Sequence, residues 1–304
     1  MKNKNRVLGA LLGVAVGDAL GAPLEFMSAE EIQATHGGSV RDMIGDGWLD
    51  VAPGEVTDDT QMTLAVAEGI ALCPNDPVPA IGKRFLAWYD SKPKDIGNCC
   101  REAIEHVKRS GINDTSAAWH VAAASVHEKT GGQTAGNGAL MRTVYPGLYY
   151  PPSEAHFAAS VIAKMTHWHD ESTMAVILYT MAISDLVAEN EGIREGSGEI
   201  AWGKAQIERR MVNVRKRAEG KKITPSGYAI NSAVCAINAI RDTGSFEDAL
   251  VQAVNLGGDA DTIGAITGGL AGALYGADAI PQRWVKKLDK GTVKRIEKLA
   301  EKAR

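Results

Sequence analysis

Cysteine is scarce in this chain. The 304 residues hold four, Cys73, Cys99, Cys100 and Cys235, with no Cys-x-x-Cys pair and no disulfide-like framework, which suits the reducing cytosol. An excess of positive charge is also missing. The formal net charge is −4 and the pI about 6.0, so no global field recruits nucleic acid or an anionic membrane. No apolar run is long and clean enough to span a bilayer. Val7 to Val16 follows a basic Met1 to Arg6 and imitates a signal peptide, but Asp18 interrupts it, and Ile263 to Ile280 is rich in small residues and carries Asp278. Strand signals are nearly absent too, with no sustained alternation and no hairpin flanked by β-like runs. What remains is an all-α chain, 45% apolar and 23% charged, able to bury a full core.

Glycine supplies the first positive signal. It recurs at positions 9, 13, 17 and 21 and again at 264, 268, 272 and 276. A spacing of four lines residues along one helical face, and each glycine costs about 1 kcal/mol against alanine inside a helix. Such costs are tolerable where another backbone packs closely, so the segments 6–22 and 263–275 are expected as central helices, in contact with each other. Further helices are expected over 57–72, 79–89, 95–109, 115–129, 153–166, 171–190, 228–240 and 246–254, with a basic amphipathic helix from Arg283 closing the chain. Residues 36–56 and 189–200 read as loops, and the basic stretch 209–222 as a solvated helix face. Because its chemical motifs lie at both ends and must meet, the chain reads as one domain, 1–304.

Those motifs are rich in oxygen donors. Gly257-Gly258-Asp259-Ala260-Asp261-Thr262 sets two carboxylates and a hydroxyl behind paired glycines, and Thr57-Asp58-Asp59-Thr60 echoes it. Asp, Glu and Thr oxygens are the ligands that Mg²⁺ and Mn²⁺ prefer. Each cluster also makes sense as a helix start: Thr57 is a good N-cap, and acidic residues suit the first turn. The second cluster carries more donors than one cap needs, which favours a shared metal site. Glu25, beyond the helix-stopping Pro23, could reach such a site, whereas Asp18 in its apolar run needs a partner or a helix N-terminus. Asp95 reads either as an N-cap or as a free carboxylate. The loop Gly136-Asn137-Gly138 can offer bare backbone to a phosphate, and Thr166-His167-Trp168-His169 suits a polar pocket or a cap better than a metal.

In combination these stretches resemble the ADP-ribosylglycohydrolase family. Gly17-Asp18-Ala19-Leu20-Gly21 with Glu25, Thr57 to Thr60, Asp95-Ile96-Gly97-Asn98, Gly136 to Arg142, Thr166 to His169 and Gly257 to Thr262 follow in family order over residues 6–280. The resemblance implies a compact all-α fold with two Mn²⁺ or Mg²⁺ ions held by Thr57, Asp58, Asp59, Asp259, Asp261 and Thr262. It implies Asp95 as the catalytic carboxylate, Glu25 as ligand or gate, and Gly136, Asn137, Gly138 and His167 as contacts for ADP-ribose. The implied reaction removes ADP-ribose from arginine on a modified protein, by a cytoplasmic monomer. Hydrolysis of O-linked ADP-ribose or a phosphoester, and a non-catalytic ADP-ribose-binding relative, stay open.

Overall fold

A computed structural model describes residues 2–188 and 197–303, and among them sixteen α-helices and two short 3-10 turns carry the fold, with no strand. The all-α expectation holds. The two glycine-rich segments form the helices Lys4–Gly21 and Ala260–Tyr275, apolar on every side and buried almost throughout. They run antiparallel, with Gly9 opposite Gly272, Gly13 opposite Gly268, Gly17 opposite Gly264 and Gly21 opposite Ala260. A methyl on Gly9 would stand 2.5 Å from the carbonyl oxygen of Gly272, and the next three pairs leave less room. The clash partner is backbone in every case, so no rotamer change relieves it. This is the most extensive helix pair among the described residues. Gly276 differs: it terminates the second helix with a positive φ and faces Asn5. The opening helix is long and apolar enough to cross a membrane, yet 94% of its apolar window is buried inside the protein.

The expected helices appear with their ends shifted by a few residues, as Asp58–Leu72, Pro77–Asp90, Asn98–Ser110, Ser116–Lys129, Pro152–Ala163, Asp170–Val187, Ala229–Asp242 and Phe246–Val254. Several details differ from the sequence reading. Short helices form at Ala29–His36 and Val144–Tyr149, the first opened by a capping box at Ser28 and Glu31. The loop reading of 189–200 falls mostly outside the described residues, and at its end Ser197 already opens a helix that runs to Arg210. The basic stretch 209–222 is two helix pieces and a turn. Arg210 pairs with Asp185 at 2.6 Å and Arg215 with Glu208 at 2.6 Å. The closing helix is split into Gln282–Val285 and Lys290–Lys302, because Asp289 caps the second piece.

Candidate active site

The antiparallel pairing fixes where the acidic motifs meet. The C-terminal end of Lys4–Gly21 lies beside the N-terminal end of Ala260–Tyr275, and the helix Asp58–Leu72 starts at the same place. Asp18, fully buried, makes that junction. It accepts from the backbone N–H of Thr57 (3.1 Å) and Thr60 (3.0 Å) and from their hydroxyls at 2.9 and 2.5 Å. One carboxylate thus satisfies an N-terminus that would otherwise leave donors orphaned. Burial still wins over these bonds and pushes the Asp18 carboxyl up to about 6. A partner or N-terminus was the requirement read from its apolar setting, and it has both.

The second acidic motif is held by its glycines. Gly257 and Gly258 adopt left-handed φ of 71° and 63° and press against Met27 and Pro225, with no space for a side chain. Phe26 N–H donates to the Gly258 carbonyl at 2.6 Å and Gly258 N–H to that of Met27 at 2.7 Å, which draws Glu25 alongside Asp259 and Asp261. Glu25, Asp259 and Asp261 each bring a carboxylate oxygen within 4.8 Å of the others. Asp259 stands at the N-cap position but its side chain bonds no helix N–H; the carboxylate accepts from Asn137 Nδ2 at 2.8 Å instead. The Thr262 hydroxyl donates to Asp59 Oδ2 at 3.2 Å and so ties the two motifs together across the whole sequence.

These oxygens repel one another. Burial first, then the negative charge of their neighbours, drives the carboxyls of Asp58, Asp59 and Asp261 far above the usual range. Glu25 is pushed to about 8 by burial despite a 2.6 Å bond from the Trp48 indole. Asp59 Oδ1 is buried with no hydrogen-bond partner. The hydroxyl protons of Thr57 and Thr262 point to Asp18 and Asp59; the Thr57 oxygen also caps its helix by accepting from Asp59 N–H at 3.4 Å, while the Thr262 lone pairs stay available. A buried all-oxygen donor set with an orphaned carboxylate oxygen fits a hard divalent cation, which would supply the missing positive charge.

The carboxylates open into a cavity of about 740 Å³. Glu25, Asp58, Asp95, Gly136, Asn137, Gly138, His167, Asp259, Asp261 and Thr262 line it, while Thr57 and Asp59 do not. Asp95 is not a helix cap. Its helix begins at Asn98 with Gly97 as N-cap, and the Asp95 carboxylate accepts only from its neighbour Ile96 N–H, at 2.7 Å. Burial is the first cause raising its carboxyl above the ordinary range. Across the cavity Asn137 is fixed by Ser232 and by the backbone of Gly227. His167 is buried and its imidazolium pK falls to about 3, so the ring is neutral. Arg142, a donor only, bonds Thr166 Oγ1 at 2.7 Å, and the same hydroxyl bonds His167 Nδ1 at 2.8 Å, which fixes the orientation of the ring. Its Nε2 edge faces Gly136 and Gly138, where added methyls would crowd the ring at 3.0 and 3.1 Å. His169 takes the capping role, accepting from Glu171 N–H at 3.1 Å.

Several lining residues carried no signal of their own in the sequence. Arg101 and the segment Pro225 to Gly227 reach the cavity only because helix packing brings them there. Trp48 was hidden in the 36–56 loop, whose length was the one hint that it had work to do.

An all-helical protein that gathers buried carboxylates and hydroxyls at one end of its central helix pair has a donor set that would suit a divalent cation. The ADP-ribosylglycohydrolase family model matches residues 1–304, and the chain belongs to that family. It is 36% identical over 94% of its length to the ADP-ribosyl-[dinitrogen reductase] glycohydrolase of Rhodospirillum rubrum, covering 90% of that protein. It is 32% identical to the ADP-ribosylarginine hydrolase Tri1 of Serratia proteamaculans (strain 568), over 98% of this chain and 78% of that one. A solved ADP-ribosylglycohydrolase-related protein complex superposes with a TM-score of 0.78 at 30% identity, covering 99% of both chains.

Proposed function

We propose that this chain hydrolyses the N-glycosidic bond between ADP-ribose and an arginine side chain of a modified protein. The observation that carries the reading is the convergence of buried, mutually repelling carboxylates on a cavity that Asp95 shares. The arginine linkage is supported by the names of the Rhodospirillum and Serratia relatives. Dinitrogen reductase, named in the first of them, is one candidate target. We take the chain to work as a monomeric single domain, 1–304, in the cytoplasm, in keeping with its four free cysteines.

In this reading Thr57, Asp58, Asp59, Asp259, Asp261 and Thr262 hold two Mn²⁺ or Mg²⁺ ions, with Glu25 as a further ligand or gate. Such ions, when bound, fix the ribose hydroxyls and make water a better nucleophile. Cleavage of a ribosyl bond builds oxocarbenium-like positive charge at the anomeric carbon. Asp95, free of any helix to cap, stabilises that charge or passes a proton at its carboxylate oxygen toward the departing guanidine. Asn137 positions Asp259, and the bare backbone of Gly136 and Gly138 lets a phosphate approach His167. The neutral imidazole presents its Nε2 edge there, with its orientation fixed by Thr166 and Arg142. The carboxylates of the cavity also favour a cationic leaving group.

The test is one assay across arginine-, serine- and DNA-linked ADP-ribose, with and without chelation. The expected result is release from the arginine linkage, lost on chelation and restored by Mn²⁺ or Mg²⁺. Preferential release from serine would move the assignment to O-linked substrates, and metal content below one ion per active chain would end the two-ion reading.

A further inference from the structure

We propose that the exposed ring pair of Phe26, which lines the cavity, and Trp48, which packs against it and bonds the cavity residue Glu25, is a stacking platform for the modified arginine itself. It sets leaving-group specificity, and it rests on the arginine reading above. Phe26 is 67% exposed and Trp48 51%, and their ring centroids lie 5.1 Å apart at an interplanar angle of 49°. Isolated exposed apolar residues need no explanation. This pair differs, because the chain holds it in place at a cost.

Phe26 has φ of 65°, a left-handed conformation in which a bulky side chain is strained and glycine would be free. Its backbone is pinned there by the bond to Gly258. Trp48 sits on a tight turn closed by the Asp46–Val51 bridge. Asp46 and Asp50 in that turn are also left-handed, and Gly47 presses against Pro23 with no room for a methyl. The indole N–H is spent on Glu25 Oε2, at 2.6 Å, which fixes the edge of the ring and leaves its faces to other partners.

Charge decides what those faces would take. Glu25, Asp95 and Asp259 line the cavity together with Phe26. Aromatic faces beside carboxylates match a guanidinium, which is planar, stays charged and stacks on rings while its N–H groups reach acids. A neutral nucleobase would stack equally well but could give the carboxylates only an exocyclic amine donor, not a positive charge. In this arrangement ADP-ribose fills the inner cavity, and the arginine stem leaves across Phe26 toward the modified protein.

Phe26→Leu tests this, since it keeps a side chain and apolar surface but removes the π face. The expected result is a fall of about tenfold in kcat/KM on arginine-linked ADP-ribosyl protein, the scale of a partly desolvated cation–π contact. ADP-ribose affinity by calorimetry and the melting temperature should stay unchanged, and Phe26→Tyr should restore the rate. If Phe26→Leu matches a wild type that cleaves the arginine linkage, the platform falls and the proposed function stands. A parallel loss of ADP-ribose affinity would assign the rings to the nucleotide and overturn the proposal. A wild type inactive on arginine-linked substrate would sink both.

Discussion

Asp95 lies just ahead of its helix without capping it, and that offset determines how its substitution should read. Asparagine can still accept from Ile96 N–H, so the melting temperature and ADP-ribose affinity should hold. It cannot carry charge or take a proton, so turnover should drop by roughly two to four orders of magnitude, the range for a lost general acid–base. A variant with near-wild-type turnover would shift attention to Glu25. Asp18→Asn asks the opposite question. Its amide would confront the donors of Thr57 or Thr60, and a mispaired buried donor costs about 1–3 kcal/mol. Stability should fall by that amount in chemical denaturation, and metal retention should fall with it, since Asp18 anchors the helix start that carries Asp58 and Asp59. The sequence could announce that Asp18 needed a partner, because an unpaired charge in an apolar run is expensive. It could not separate cap from free carboxylate at Asp95, because a shift of one or two residues in the helix start changes the answer.

At the scale of elements, the glycine spacing was legible because a backbone-to-backbone contact admits almost no other residue. Gly268→Leu must push the two central helices apart, and a cost of roughly 3 kcal/mol or more is expected from overpacking that no rotamer can relieve. Urea denaturation with near-normal stability would show that the pair separates easily. Short elements were harder to read. Ala29–His36 buries a single residue, Ile32, and Val144–Tyr149 contains both a proline and a glycine, so neither writes a helical period into the sequence. The ends of Ala29–His36 are nonetheless marked locally, by the Ser28–Glu31 capping box and the left-handed Gly37. The turn that presents Trp48 is held by its neighbours, through Gly47 on Pro23.

For the whole molecule, the clustered carboxylates link folding to pH. Asp18, Glu25, Asp58, Asp59, Asp95 and Asp261 all have carboxyls raised above their ordinary range, chiefly by burial. In the metal-free protein the native state then binds more protons than the unfolded chain, so stability should decline as pH rises. The decline should start near the ordinary carboxylate range and continue through about 6, where Asp18 titrates, to about 8, where Glu25 does. Thermal melts between pH 5 and 8 should show it, and added Mn²⁺ or Mg²⁺ should flatten or reverse the slope; a metal-free protein whose stability rises over that range would contradict the linkage. This behaviour could not be read from composition, which is unremarkable in charge, because it depends on which acids the fold crowds together.

The pairing of Gly9 with Gly272 also sets an order of events in the cell. A ribosome adds about 5–20 residues per second, so the opening helix waits on the order of tens of seconds for the partner that covers it. During that interval a greasy, glycine-striped segment is exposed and no complete metal site exists. The nascent protein should therefore lean on chaperones until its last helices emerge, and hydrolytic activity should appear only in chains translated beyond Tyr275.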